Sequence, residues 1–249
     1  MSEKLQKVLA QRGLGSRREM ERVIAAGRVK IGGRVAQLGE RVQPGEEIAV
    51  DGWRLGHKPV AQGRILIYHK MTGEMCTRSD PKGRPLVFDK LPTIRQGRWV
   101  AVGRLDINSS GLMLFTTDGE LAARLMHPSQ EIVRRYAVRV LGRADAGTIA
   151  KLIAGIALDD GPAHFSEVKD VGGDGANHWY HVSIMEGRKR EVRRMFEAVG
   201  LVVSRLIRIA YGPVELPRTL RPGYSRALSA PAVEAVYKAA GLAVPSKSR

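Results

Sequence analysis

The chain has 249 residues, 43% of them apolar, with 41 Lys and Arg against 25 Asp and Glu and a formal net charge of +16. That length accommodates one or two domains of ~100–200 residues, and that charge points to a polyanionic partner, nucleic acid first. A single cysteine, Cys76, excludes an internal disulfide framework and any multi-cysteine metal site. No apolar run approaches the ~18–20 residues of a membrane span. The opening MSEKLQKVLAQRG is charged throughout and has no signal-peptide core. The expectation is a cytoplasmic protein of a reducing compartment, with no membrane partner.

Residues 1–58 read as a small N-terminal domain. Leu5, Val8 and Leu9 sit at helical spacing, and Gly13 and Gly15 end that helix. Ser16 followed by Glu19 is a capping box for a second helix that buries Met20, Val23 and Ile24 and stops at Gly27. Val29-Lys30-Ile31, Gly32-Gly33 and Arg34-Val35-Ala36 form a hairpin signal, and Ile48-Ala49-Val50 a closing strand. Residues 51–63 show no period and read as a linker.

From 64 to 241 strands outnumber helices. Strands are predicted at Arg64–Lys70, Trp99–Leu105, Gly111–Thr117, Ile132–Leu141, His164–Val171, His178–Met185 and Val202–Tyr211. Helices are predicted at Asp118–Met126, Asp145–Ala154, Arg188–Val199 and Ala232–Ala240. Arg134, Arg135 and Arg139 read as the polar positions of their strand, Gly172–Gly175 as a turn, and Val244–Arg249 as a frayed tail. Short connections between neighbours favour an α+β fold with a mainly antiparallel sheet.

Most familiar chemistries find no support. No P-loop sequence is present. His178 and His181, three apart on a strand, point to opposite faces and cannot share a metal. Cys76 reads as a small hydrophobe before it reads as a nucleophile. Two segments remain. In GRLDINSSGLMLFTTDG (103–119), a strand ends at Leu105 and delivers Asp106 to a polar loop, the position where a rigid scaffold presents reactive groups. In EGRKREVRRM (186–195), a basic helix is either a phosphate-binding surface or a means of burying Arg193 against a carboxylate.

GRLDINSSGLMLFTTDG resembles the signature of the ribosomal RNA pseudouridine synthases of the RsuA/RluB type. SEKLQKVLA, GSRREMERVIAAGRV, ILIYHK, RWVAVGRLD, GELAARLMHPS, RYAVRV, EGRKREVRRM and SRLIRIAYG extend the resemblance over nearly the whole chain. These stretches are closer to members acting on large-subunit (23S) RNA than to the small-subunit enzyme. The resemblance implies a ribosomal-protein-S-four-like RNA-binding module over ~3–50 and a catalytic domain over 64–241. It implies isomerisation of uridine to pseudouridine in ribosomal RNA, without cofactor or metal, by a chain expected to act as a monomer. Asp106 matches the family's indispensable aspartate, Tyr136 the tyrosine that stacks on the target base, and Arg193 the basic residue that pairs with the aspartate. Ile184 and Met185 fall in the apolar stretch of the pocket. Arg104, Arg188 and Arg190 are expected to meet the substrate. Arg17, Arg18, Arg28, Lys30 and Arg34 are expected to form a phosphate track. Where the family usually has Lys-Pro, this chain has Lys70-Met71.

Two rival readings come from other classes. A non-catalytic RNA-binding or ribosome-assembly protein would share the N-terminal module and the charge, but would not need the further ~190 residues. An RNA methyltransferase would need a glycine-rich strand–helix cofactor turn, and none is visible in the sequence.

Overall fold

One helical capping box and one glycine hairpin set the geometry of the N-terminal unit in the computed structural model, which describes residues 2–56, 63–94, 97–173 and 175–245. Strand β1 (Glu3–Lys4) leads into α1 (Leu5–Gln11), followed by α2 (Arg17–Ala25), β2 (Val29–Ile31), β3 (Arg34–Val35), β4 (Arg41–Val42), β5 (Ile48–Val50) and β6 (Trp53–Arg54). The capping box at α2 forms as read: Glu19 N donates to Ser16 Oγ at 3.0 Å, and Ser16 N donates to the Glu19 carboxylate at 3.1 Å. Two otherwise orphaned helix-end donors are thereby satisfied. Gly32 and Gly33 both adopt positive φ, +54° and +86°, as the two-residue turn between β2 and β3 requires. Leu5, Leu9, Met20, Ile24, Val29, Ile31, Val42 and Ile48 close a core separate from the rest of the molecule.

The linker reading fails at its start. Asp51 and Gly52, at φ +51° and +83°, turn the chain so that β6 pairs with β5 as the outer strand of the order β3-β2-β5-β6. Residues 57–62 of that linker, Asp174 of the expected glycine turn and residues 246–249 of the expected tail lie outside the described residues.

The second unit is built on nine strands. They are β7 (Ile65–Lys70), β8 (Val100–Val102), β9 (Ser110–Thr116), β10 (Arg134–Leu141), β13 (Glu167–Gly172), β14 (Asn177–Ile184), β15 (Val202–Tyr211), β16 (Val214–Glu215) and β17 (Ser225–Ala227). A small hairpin of β11 (Ile156–Leu158) and β12 (Gly161–Ala163) stands apart, turned by Asp159-Asp160. The large sheet runs β13-β14-β10-β15-β9-β7-β17, with β8 beside β9 and β16 beside β15. Every pairing is antiparallel except β9 with β15. The α+β, mainly antiparallel expectation holds.

Strand alternation divides the apolar residues between two layers. Tyr68, Phe115, Val138, Tyr180, Val182 and Leu206 face one side, covered by α4 (Ala146–Ala154) and α5 (Glu191–Ala198). Ile65, Ile67, Leu112 and Leu114 face the other, covered by α3 (Gly119–Met126) and α6 (Ala230–Ala239). Arg134 corrects the sequence reading. It shares the inward parity of Tyr136 and Val138 and is buried, donating to Met185 O at 2.8 Å with its guanidinium 5.1 Å from the Tyr211 ring centre. Its charge had placed it on the polar face; these partners are what make its burial tolerable.

Candidate active site

The loop between β8 and β9 carries Asp106, and its backbone is held at five successive carbonyls. Leu105 O accepts from the Cys76 thiol at 3.2 Å, Asp106 O from Ser109 N at 3.0 Å, and Ile107 O from Gly73 N at 2.8 Å. Asn108 O accepts from Arg193 Nη2 at 2.9 Å, and Ser109 O from Lys70 Nζ at 2.8 Å. A loop so tied cannot drift, and positioning within about 0.5 Å is what a reactive side chain needs. Gly111 anchors the far end. A Cβ there would lie 2.3 Å from Arg208 O, and its φ is +106°, so only glycine fits where β9 meets β15.

The Asp106 carboxylate makes no hydrogen bond or ion pair to the protein among the described residues, and it is half-buried. Two buried cations feel its charge. Lys70 is fully buried, and burial pushes its ammonium below the ordinary lysine value, with Cys76, Glu74 and Asp106 opposing. Arg193 is 7% exposed; burial and then Arg190 depress its guanidinium, with Asp106 opposing. The expected pairing of Arg193 with a carboxylate takes a different form. Its Nη1 and Nη2 donate to Val203 O (2.8 Å) and Asn108 O (2.9 Å), so it reaches Asp106 through the field and through the loop, not through a direct ion pair. Cys76 is ruled out as a resting thiolate, because burial pushes its thiol pKa up.

Tyr136 lies on β10, opposite Val182 of β14 and Arg208 of β15. It is 8% exposed, and its hydroxyl has no hydrogen-bond partner among the described residues. Ile184 is buried in the core beneath, while Met185 is 40% exposed and gives its carbonyl to Arg134. Arg104, two residues before Asp106, is exposed and unpaired among the described residues.

Several predicted substrate contacts are occupied by the protein itself. Arg188 bonds Glu191 Oε1 (2.7 Å), Asp160 Oδ1 (3.0 Å) and Pro162 O (2.8 Å), locking the β11–β12 hairpin to the start of α5. Arg190 caps α5 at φ +52° and pairs with Glu197 at 3.3 Å. In the N-terminal unit Arg28 is bidentate to Asp51 and Arg34 pairs with Glu40, whereas Arg17, Arg18 and Lys30 are exposed and have no carboxylate partner among the described residues. The two units touch through Lys7 and Glu120 at 3.3 Å.

Sequence reasoning missed Lys70 and Glu74 as parts of the site. Glu74, 2% exposed, accepts from Tyr68 Oη at 2.7 Å and Met71 N at 2.9 Å, which fixes the turn that brings Gly73 N to Ile107 O. The available signal was parity: Leu66, Tyr68 and Lys70 share the inward face of β7.

A half-buried aspartate on a clamped loop, with two buried cations that feel its charge, is the candidate active site, and comparison with known proteins gives the family. Residues 64–198 match the family model described as RNA pseudouridylate synthase, and residues 3–48 the S4 domain. The chain belongs to the RNA pseudouridylate synthase family. It is 57% identical over 227 residues to the ribosomal large subunit pseudouridine synthase B of Escherichia coli K12, covering 90% of this chain and 78% of that one. To the protein of the same name in Pseudomonas aeruginosa it is 54% identical over 245 residues, covering 97% of this chain and 64% of the other. A crystal structure of a pseudouridylate synthase superposes with a TM-score of 0.66 at 25% identity, over 94% of this chain and 99% of that one.

Proposed function

We propose that this protein converts a uridine of large-subunit ribosomal RNA to pseudouridine, with Asp106 as the reacting carboxylate. The N1–C1′ bond of the nucleotide breaks, the uracil turns, and C5 bonds to C1′. N1 gains a proton, the C5 proton is lost, and no group leaves the product. The observation that carries the reading is the Asp106 loop: five carbonyls held, the carboxylate itself without a partner among the described residues, and two buried cations that feel its charge. Attack at C1′ and proton removal at C2′ both require a carboxylate whose oxygens are open to the sugar.

The target base must leave its stack before the glycosidic bond can be reached. Tyr136 supplies the surface on which it is received; base–aromatic stacking contributes ~1–3 kcal/mol. Arg193 and Lys70 act as positioning residues. Arg17, Arg18 and Lys30 on the S4 unit, with Arg104 beside the site, are the unpaired cations suited to phosphate. Among the described residues no helix is long and apolar enough to cross a membrane, in keeping with action on ribosomal RNA in the cytoplasm. The chain is proposed to act as a monomer.

The test is Asp106→Asn. Asparagine keeps the size and much of the hydrogen bonding but is neither a comparable nucleophile nor a base. The variant is expected to fold, to bind ribosomal RNA about as tightly as the parent, and to form no pseudouridine detectable by chemical mapping. More than a few per cent of parental activity would overturn the assignment.

A further inference from the structure

The large sheet is covered on both sides at one end only. On the side that α3 and α6 cover at β7 and β9, α3 reaches only the end of β15, where Tyr211 Oη donates to Leu125 O; the outward side chains of β13, β14, β10 and the rest of β15 belong to no apolar cluster among the described residues. The register sets these side chains in two rows. Trp179, Arg139 and Arg205 form one; Lys169, His181, Ala137 and Ile207 form the next. Neither row contains a carboxylate. The Arg139 guanidinium lies 5.9 Å from the Trp179 ring centre and is held from the far side by Ser204 Oγ at 2.9 Å. Arg139, Arg205 and Lys169 have no acidic partner among the described residues. The nearest acids sit at the margin: Glu215, paired with Arg135 at 3.3 Å, and Glu167, accepting from Ser183 Oγ at 3.1 Å. Arg205 also lines the cleft that Asn108 and Arg193 border, so the bare face runs into the approach to the Asp106 loop.

We propose that this face is a docking platform for an unpaired stretch of RNA, one base stacking on Trp179 and its phosphates meeting Arg139, Arg205 and Lys169. The inference rests on the reading of the chain as an RNA-modifying enzyme and extends its substrate contact beyond the S4 unit and the cleft. Four strands at ~4.8 Å spacing give the platform a width of ~14 Å, room for a few nucleotides. An aromatic among unpaired cations on an open sheet is the combination that binds single strands without reading their sequence. An acidic peptide would use the cations but leave the indole without a role.

The test uses the full chain and a short single-stranded oligouridylate carrying 5-iodouridine. Irradiation is expected to yield an adduct on the peptide containing Trp179. Trp179→Ala should weaken binding of the oligonucleotide by about fivefold or more. The double variant Lys169→Glu/Arg205→Glu should weaken it further and lower the slope of log K against log salt by about 1.4, from ~0.7 per lost phosphate contact on a single strand. The double variant Lys169→Arg/Arg205→Lys should keep the parental slope, and thermal melting reports whether each variant is folded. Adducts mapping only elsewhere, or folded charge-reversed protein with unchanged affinity and slope, overturn the platform and leave an acidic protein as the occupant. Pseudouridine formation by the parent on transcribed ribosomal RNA, measured alongside, separates this failure from failure of the proposed activity.

Discussion

Replacing Arg193 with methionine tests whether the carboxylate is positioned through its loop. The side chain is 7% exposed and bridges Val203 O on β15 to Asn108 O on the Asp106 loop. Methionine fills much of the volume but donates nothing. Each buried carbonyl left without a donor costs about 1–3 kcal/mol. Against this, the variant no longer buries a charge, a penalty of several kcal/mol in its own right. The net expectation is a stability loss of about 1–3 kcal/mol, read by urea unfolding. Activity should fall much further. Freeing Asn108 O loosens the loop two residues from Asp106, and a 1 Å misplacement of a reacting group costs about 10²-fold; loss of the nearby positive charge adds to it. Arg193→Lys keeps the charge but cannot span both carbonyls as a planar fork does, so it should retain stability better than Met and still lose about tenfold in rate. Single-turnover release of tritium from C5-labelled uridine in ribosomal RNA reads the chemical step. If Arg193→Met turns over within about threefold of the parent while losing the expected stability, Arg193 is a structural bridge only and the clamped-loop argument is wrong.

Tyr136→Phe should be milder than Tyr136→Ala in single-turnover rate, because Phe keeps the stacking ring; equal, near-total loss in both would assign the hydroxyl a chemical role. Asp118 caps α3 through Glu120 N and Leu121 N and accepts from Tyr237 Oη at 2.9 Å. Asp118→Ala should therefore cost about 2–4 kcal/mol of stability on unfolding in urea and leave the rate at low temperature intact. His181 is held below the ordinary histidine value by burial, then by Arg135 of β10 and Lys169 of β13, with Glu167 opposing. The unfolded chain therefore takes up that proton first as pH falls below about 6.5, so stability present above that pH is lost on acidification. His181→Gln should flatten the decline measured by urea unfolding between about pH 7 and 5, and an unchanged decline refutes the assignment.

Where a local rule decides local structure, the sequence is enough. The Ser16–Glu19 box and the Gly32-Gly33 turn each depend on residues within four positions of one another, and each forms as read. Strand β6 was equally local, since Asp51-Gly52 is a hairpin turn signal; the polar, glycine-rich stretch after it obscured the two residues that pair. Arg134 and Lys70 are a different case. Their charge outweighs their parity in any pattern reading, and the carbonyls and ring that make their burial tolerable arrive from up to 77 positions away. Arg188 likewise looks like a free cation until the β11–β12 hairpin brings Asp160 and Pro162 against it. Asp106 was legible through its signature, but its clamp was not. The donors come from β7, the turn after it, Cys76 and α5, segments related only by the fold.

The way Asp106 is held has a consequence for its chemistry. A buried carboxylate can be aimed by bonding its oxygens, as Glu74 is by Tyr68 and Met71 N. Such bonds also stabilise the charge in the ground state and occupy the lone pairs that would meet the sugar. At Asp106 the aim comes from the backbone instead: the donors go to carbonyls 105 to 109, and neither carboxylate oxygen has a partner among the described residues. Lys70 and Arg193, the buried cations that feel its charge, are each tied to main-chain oxygens of the same loop. The cations therefore cannot collapse onto the carboxylate without giving up bonds worth about 1.5–3 kcal/mol each. An arrangement of this kind keeps the proposed reacting carboxylate open and aimed only while the loop is intact. That is why Gly111, which admits the close approach of β9 to Arg208 O, constrains the site as tightly as any charged residue in it.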